Sequence, residues 1–297
     1  MPLVLILISN PERPALDDAF LVELEQTLPG LTDVTWLSPG VAVEMVVRAS
    51  VDEGHGIGSL VRSKLGNRPV DVAVLPAGAR RKQLLVADMD STIIGQESVD
   101  ELADYVGLKR EVSIITERAM RGELEFEAAL KQRTALLKGV PETAISEILA
   151  RHITVTPGAR ELVATMRANG ATTALVSGGF SAFTGPVSGW IGFDEHFANA
   201  LIVDSGLLTG QCQEPVRGQK AKLDALRSLR RRHELGDNDT LAVGDGANDL
   251  LMIQAAGLGV AYRAKPALAK SSDVRIAHGD LTALLYLQGY RDQDFAV

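Results

Sequence analysis

Two spacings of apolar residues alternate along the chain and mark out its elements. Period-two and continuous apolar runs predict strands over 3–9, 31–37, 41–48 and 70–75, with helices over 14–28 and 56–66 between them. Pro76-Ala77-Gly78-Ala79-Arg80-Arg81-Lys82 then breaks the pattern with turn-forming and charged residues, which predicts a linker. Leu84-Leu85-Val86-Ala87 is a short unbroken apolar run, expected of a strand covered on both faces in a parallel sheet. A mostly helical stretch runs from Ser98 to about Leu149, and Ser98-Val99-Asp100-Glu101 has capping-box spacing at its start. Further on come a helix from Pro157 that stops at Asn169-Gly170 and a strand over Ala171–Val176. A hairpin is predicted from Phe197–Val203 and Leu207–Gln213 about the turn Asp204-Ser205-Gly206. A helix from about Gln219, a strand over Thr240–Val243, a helix after Asn248 and a strand over Leu258–Tyr262 complete the series.

Strands alternating with helices predict an α/β fold, a doubly wound parallel sheet with a helical insertion directly after its first strand. The βαββαβ order before the linker resembles the ferredoxin-like plan of small regulatory modules such as ACT domains. The expected division is therefore a small α+β, ACT-like domain over 1–78 and a larger α/β domain over 83–297, its helical cap lying at about 97–153.

Composition narrows the function. At 297 residues the chain has room for about two domains and a core of useful size. Lys and Arg number 30 against 38 Asp and Glu, a net charge of −8, and no basic block is present, so a nucleic-acid groove is not expected. A single cysteine, Cys212, excludes an internal disulfide and a cysteine-built zinc site. The early apolar run Leu3–Ile8 lacks a basic flank and is too short for a signal peptide or a membrane span. The reading is a cytoplasmic protein with no nucleic-acid or membrane partner.

In a doubly wound sheet, ligands bind at the carboxyl ends of the strands, and three strand ends here carry polar loops. Asp88-Met89-Asp90-Ser91-Thr92 sets two carboxylates two residues apart, so that in extended backbone both project to one side. A solvated loop is the plain alternative, but two acids closing an apolar strand are costly to place without a use. Ser177-Gly178-Gly179 is readable as a β-turn, or as a hydroxyl and bare amides brought close to a phosphate oxygen. Gly244-Asp245-Gly246-Ala247-Asn248-Asp249 adds two more carboxylates where glycines let the chain turn, with an Asx-rich helix cap as the alternative. Hard oxygen donors gathered at one sheet edge suit Mg²⁺. Lys222, on a helix with Leu226 and Leu229, is placed to hold a phosphate near these acids, and Lys220 is its competitor. In the insertion, Phe126, Ala129, Leu130, Arg133 and Leu137 share one helix face, so Arg133 either snorkels at a rim or meets a buried anion.

Taken together, these residues resemble the haloacid dehalogenase superfamily, whose Asp-x-Asp-x-Thr, Ser/Thr, Lys and Gly-Asp-(x)n-Asp motifs occur here in order across about residues 83–265. Within it the chain resembles the phosphoserine phosphatases. Asp-Met-Asp-Ser-Thr with Glu97 following, Gly-Asp-Gly-Ala-Asn-Asp, and the segment from Met120-Arg121-Gly122-Glu123-Leu124-Glu125-Phe126 to Arg133 all match that family's pattern. The resemblance implies Asp88 as nucleophile, forming an aspartyl-phosphate, and Asp90 as general acid and then base. It implies Mg²⁺ on the Asp88 carboxylate, the Asp90 carbonyl and Asp245, with Asp249 in support. Ser177, Gly178, Gly179 and Lys222 would bind the phosphoryl oxygens. Arg133 would take the α-carboxylate of O-phosphoserine and Glu97 its ammonium, while Met120 and Phe126 exclude water. Thr92 and Asn248 would orient neighbours, Asn248 also lying at the substrate.

Two rival readings stay open at this point. One is a related phosphatase or phosphotransferase acting on another small phosphomonoester. The other is a ligand-sensing protein with a vestigial catalytic half, against which the full set of motif carboxylates argues. For the N-terminal segment, serine sensing, homodimer formation and simple packing are all open. The five histidines show no metal-ligand spacing, and Gly54-His55-Gly56-Ile57-Gly58 is expected to be a loop. Trp36 and Trp190 are expected to pack, and Cys212 to have no nucleophilic duty.

Overall fold

A computed structural model describes residues 2–28 and 30–296. The N-terminal unit runs β1 (Leu3–Ser9), α1 (Asp18–Thr27), β2 (Leu31–Ser38), β3 (Ala42–Val47), α2 (Val51–Leu65) and β4 (Val70–Pro76). Its sheet is antiparallel in the order β2-β3-β1-β4, the ferredoxin-like arrangement. Every residue of β1 is buried because both of its faces are covered. Leu5 and Leu7 lie under α1 and α2, whereas Val4, Ile6 and Ile8 belong to the core of the larger unit.

The expected loop at Gly54–Gly58 is instead part of α2. Ser50 and Glu53 form a capping box that starts the helix. A Cβ at Gly54 would stand 3.3 Å from Leu3 and 3.4 Å from Val74, so the glycine lets the helix lie close on the sheet. Tertiary packing outweighs glycine's low helix propensity here.

The larger unit opens with β5 (Leu84–Ala87) and then leaves the sheet for four helices, α3 (Ser98–Asp104), α4 (Lys109–Met120), α5 (Phe126–Leu136) and α6 (Thr143–Arg151). The chain returns through α7 (Ala159–Ala168), β6 (Thr172–Phe180), α8 (Ser181–Ile191) and β7 (Glu195–Asn199). A hairpin of β8 (Leu201–Asp204) and β9 (Leu207–Cys212) precedes α9 (Gln219–Arg232) and β10 (Thr240–Gly244). The end is α10 (Leu250–Ala255), β11 (Leu258–Tyr262), α11 (Pro266–Ala269), β12 (Val274–Ile276) and α12 (Ala283–Leu287). The six-stranded sheet, in the order β12-β11-β10-β5-β6-β7, is parallel throughout. Strand order reverses at β5, so the crevice expected of such sheets lies at its carboxyl end, between β10 and β6.

Two sequence expectations are corrected here. Phe197–Val203 is not one hairpin arm: Glu195–Asn199 joins the parallel sheet as β7, and only β8 pairs with β9. The hairpin then leans on the insertion, with Gly139 N–H donating to the Leu208 carbonyl and Glu142 N–H to that of Gly206. The Ser98 capping box does not form either. Glu97 is the N-cap, and the Ser98 N–H donates to the Asp90 carboxylate at 2.7 Å.

The two units share a core and a polar lock. Asp71 on β4, 6% exposed, accepts the backbone N–H groups of Ala277, His278 and Gly279 at 2.8, 2.9 and 2.8 Å. Arg80 in the linker pairs with Glu44 on β3 at 2.6 Å. Trp36 packs against the N-terminal core, while Trp190 on α8 is 37% exposed and packs less than expected. Cys212 is buried and unpaired at the end of β9. No helix of the described residues is long and apolar enough to cross a membrane.

Candidate active site

The first loop leaves β5 with Asp88 and Asp90 both in extended backbone and Ser91 at φ 55°. A serine in the left-handed region costs about 1 kcal/mol. The turn is held there because Ser91 Oγ donates to Glu97 at 2.6 Å and Ser91 N–H to the Gln96 carbonyl. The turn thereby delivers Asp88, Asp90 and Glu97 to one pocket, whose other walls include Phe126, Arg133, Gly178, Asp245 and Asn248.

At its floor, α9 sends Lys222 between two acids. Lys222 Nζ lies 2.6 Å from Asp88 Oδ1 and 2.7 Å from Asp249 Oδ1, and all three side chains are at most 4% exposed. Lys220 lies on the exposed side of the same helix. Asp249 is further fixed by the N–H groups of Asp245 and Gly246, each donating to Oδ2 at 3.2 Å. Oxygen atoms of Asp88, Asp245 and Asp249 all lie within 4.8 Å of one another. Three buried carboxylates thus face a single ammonium. Burial, and then the Asp249 charge, push the Asp88 carboxyl well above the usual range, against the pull of Lys222. Burial and Asp249 do the same to Asp245. Burial opposes charge on Lys222, but Asp249 and Asp88 outweigh it and hold the ammonium above the ordinary lysine range.

Asp90 occupies a different setting. Its Oδ1 accepts from Ser98 N–H at 2.7 Å and its Oδ2 from Ser177 Oγ at 3.2 Å. Burial raises its carboxyl, and the bonds from Ser98 only partly offset this. Ser177 Oγ in turn accepts the Gly179 N–H at 2.9 Å.

Across the pocket, Arg133 is 7% exposed on α5 and donates from Nη1 to Thr116 Oγ1 at 3.1 Å. Its Nε has no partner, and no carboxylate lies within ion-pair distance of it among the described residues. The snorkelling alternative is therefore set aside: the guanidinium is buried, aimed inward and partly unspent. Glu97 faces it. Burial and the nearby Asp90 charge push the Glu97 carboxyl up to about 7.

The buried motif has the order, spacing and strand-end placement of a known hydrolase core, and a profile of haloacid dehalogenase-like hydrolases matches residues 85–254. The chain belongs to the haloacid dehalogenase-like hydrolases. It is 38% identical over 246 residues to a phosphoserine phosphatase of Archaeoglobus fulgidus, covering 82% of this chain and 71% of that protein. A haloacid dehalogenase family hydrolase from Salmonella enterica serovar Typhi has the same fold, with a TM-score of 0.84 at 28% identity over 97% of this chain and 98% of that one. A substrate-bound phosphoserine phosphatase complex aligns with a TM-score of 0.66 at 39% identity, over 69% of this chain and 98% of that one.

In this hydrolase the turn expected of the glycines at 244 and 246, and the β-turn alternative at 178 and 179, do not rest on left-handed backbone. Neither Gly178, Gly179, Gly244 nor Gly246 has a positive φ, so none is there to let the chain turn. They make room. A Cβ at Gly244 would come 2.4 Å from the Asp249 carboxyl carbon, and one at Gly178 would come 2.5 Å from the Phe126 ring. Gly218, which the motif reading passed over, has the same use: its Cβ would meet Phe126 at 2.9 Å. The Phe126 ring is wedged between these two glycines and seats the cap on the core.

Other supporting residues were also invisible to the motifs. Asn199, at the end of β7 and 3% exposed, donates to the Gly178 and Arg217 carbonyls and accepts the Arg217 N–H at 2.6 Å. It thus ties the Ser177–Gly179 strand end to the approach to α9. The sequence signal was slight, an amide following Phe197-Ala198 at the end of a short, mixed strand. Thr92 Oγ1 and Asn248 Oδ1 are buried without partners among the described residues, so the orienting bonds expected of them are not seen. The Met120 side chain lies outside the described residues.

Proposed function

We propose that this chain is a Mg²⁺-dependent phosphoserine phosphatase, hydrolysing O-phosphoserine to serine and phosphate in the last step of serine biosynthesis. The observation that carries the reading is the pocket itself. At its floor is a lysine-paired aspartate with a second, differently bonded aspartate beside it. A half-buried acid and a buried arginine with one N–H engaged stand opposite.

Asp88 offers its free carboxylate oxygen to phosphorus, while Lys222 holds the other oxygen and orients the attack. Asp90, whose carboxyl burial raises against the bonds from Ser98 and Ser177, is placed to give a proton to the departing serine oxygen and later to take one from water attacking the aspartyl-phosphate. Ser177, the amides of Gly178 and Gly179 and Lys222 surround the position of the transferred oxygens, where charge is redistributed during the displacement. Arg133 takes the α-carboxylate and Glu97 the ammonium, with Asn248 at the pocket wall and Phe126 shutting out water. The donor set fits a hard divalent cation, because it is all oxygen, buried and short of positive charge. Asp88, the Asp90 carbonyl and Asp245 would hold it, and Asp249, already engaged by Lys222 and two N–H groups, would support them. When bound, such an ion offsets the repulsion between carboxylate and phosphate.

We further propose that residues 1–78 and 83–297 are separate domains, that the cap spans about 97–153, and that the chain works in the cytoplasm. The support is the linker at 79–82, the four helices between β5 and α7, and the lack of a membrane-length helix among the described residues. Whether the N-terminal domain also pairs two copies is read directly from the mass in solution.

Phosphate release from phosphoserine, phosphothreonine, phosphoethanolamine and sugar phosphates, with and without EDTA, tests the reading. Phosphoserine is expected to be preferred, turnover to need the cation, and Asp88→Asn to abolish it. Preference for another phosphomonoester would overturn the substrate assignment, and turnover by Asp88→Asn at the parental rate would overturn the chemistry.

A further inference from the structure

The Arg133 guanidinium is compensated at one remove, through residues to which no role has yet been given. Asp100 on α3 is 6% exposed, and Thr116 on α4 is 4% exposed. Ser113 and Thr116 stand three residues apart, on one face of α4, and turn that face towards Asp100. Ser113 Oγ donates to Asp100 Oδ2 at 2.6 Å and Thr116 Oγ1 to Asp100 Oδ1 at 2.7 Å. Thr116 has one hydroxyl proton. The Val112 carbonyl at 3.1 Å competes for it, but the carboxylate is nearer and charged. With the proton committed to Asp100, the lone pairs of the hydroxyl face Arg133 Nη1 at 3.1 Å.

We propose that Thr116 and Asp100 are positioning residues, a hydroxyl–carboxylate relay that fixes the Arg133 fork while leaving its other N–H groups for the substrate carboxylate. The proposal rests on the phosphoserine reading of the pocket and deepens it. A direct Asp–Arg pair would engage the guanidinium through two parallel bonds and occupy the geometry the ligand needs. A buried arginine with no anion nearby would be costly in the absence of ligand. The relay meets both demands. Asp100 adds to the charge of the facing Glu97 in making the buried cation tolerable, yet only one N–H is used and Nε has no partner among the described residues. It also joins α3, α4 and α5, so the orientation of the arginine is set by the cap as a unit.

The test compares KM for phosphoserine with the inhibition constant of inorganic phosphate, which fills the phosphoryl position and reaches nothing in the cap. Thr116→Val, close to isosteric, is expected to raise KM about tenfold, equivalent to about 1.4 kcal/mol, with little change in the phosphate constant. Thr116→Ser is expected to restore KM, and Asp100→Asn added to Thr116→Val to cost nothing further. In an Arg133→Lys background, Thr116→Val is expected to add nothing. If KM and the phosphate constant rise together, or if Thr116→Val is additive with Arg133→Lys, the relay is overturned. If Arg133→Lys raises KM while Thr116→Val leaves it in place, the relay alone fails. If Arg133→Lys itself leaves KM unchanged, the carboxylate reading of the pocket fails and the relay goes with it.

Discussion

Lys222→Met removes the ammonium between Asp88 and Asp249 and keeps most of the apolar stem. With Nζ 2.6 and 2.7 Å from its two partners, each contact is worth roughly 6 kcal/mol of gross attraction at an effective dielectric of about 20. Desolvation of the three groups cancels most of that. Deleting one partner of a buried pair still costs about 3–5 kcal/mol, because the remaining charges have nowhere to go. Spread over the unfolding entropy of 297 residues, this is a fall in melting temperature of about 5–8 °C. The direction of two further effects follows from the same cluster. Lowering the pH shrinks the deficit, since orphaned carboxylates take up protons. Saturating Mg²⁺ raises the melting temperature of the variant by more than that of the parent, since the cation replaces the ammonium that Asp88 and Asp249 have lost. Phosphate release is expected to fall about 10²- to 10³-fold, the usual cost of losing a charged group at a transferring centre. Thermal unfolding in EDTA, then across a Mg²⁺ titration at two pH values, measures all of this. A variant that melts in EDTA within about one degree of the parent, and gains no more from the cation, would refute the view that the site is short of positive charge.

Glu97, held near 7 rather than its usual 4.5, makes the ligand-free fold bind a proton that the unfolded chain has already lost. Its contribution to stability is therefore present below about pH 4.5 and gone above about 7, so wild type should lose ground to Glu97→Gln as pH rises through that window. A constant difference in melting temperature between the two would count against the assignment. Gly218→Ala places a methyl 2.9 Å from the Phe126 ring, an overpacking worth about 1–3 kcal/mol. The kcat/KM for phosphoserine should drop about tenfold and recover in part with Phe126→Leu; unchanged kinetics would mean the ring does not seat the cap. Asp71→Ala strips three N–H groups of their acceptor and should cost at least about 3 kcal/mol, seen as an earlier unfolding step in calorimetry with phosphate release retained. A single transition at the parental temperature would show that Asp71 does not lock the units.

Much of the parallel sheet was legible because it obeys short-range rules. Leu84–Ala87 and Leu241–Val243 are unbroken apolar runs, as strands covered on both faces must be, the first followed at once by an acid and the second after a single glycine. The acids were legible because no packing argument accounts for them. What escaped was whatever depends on a partner distant in sequence. Gly54 and Gly58 read as a breaker, and only the close approach of α2 to Leu3 and Val74 shows why a helix tolerates them. Ser98 had the spacing of a cap, but Asp90, eight residues earlier, supplies the acceptor that its N–H uses. The continuous burial of β1 has the same pattern as β5, yet it arises from α12 covering one face, and α12 itself was not anticipated.

The same distinction separates chemistry from selectivity. The reacting groups sit at strand ends, where a parallel sheet collects them at one edge whatever else the chain does, so motif and geometry coincide. Of the residues proposed to choose the substrate, Glu97 is held by the Ser91 turn, but Phe126 and Arg133 sit on α5, where a side chain's direction depends on contacts between helices. Arg133 announced itself as a charge within an apolar stripe, but nothing in its own helix shows that Thr116 takes one of its five donors and that Asp100 stands behind it. A related hydrolase with the same four core motifs and a different residue at the position of Thr116 would keep the phosphoryl chemistry and lose the fixed fork. It follows that substrate preference among such enzymes should track the buried contacts between cap helices, and that the nucleophile and its lysine should carry no information about it.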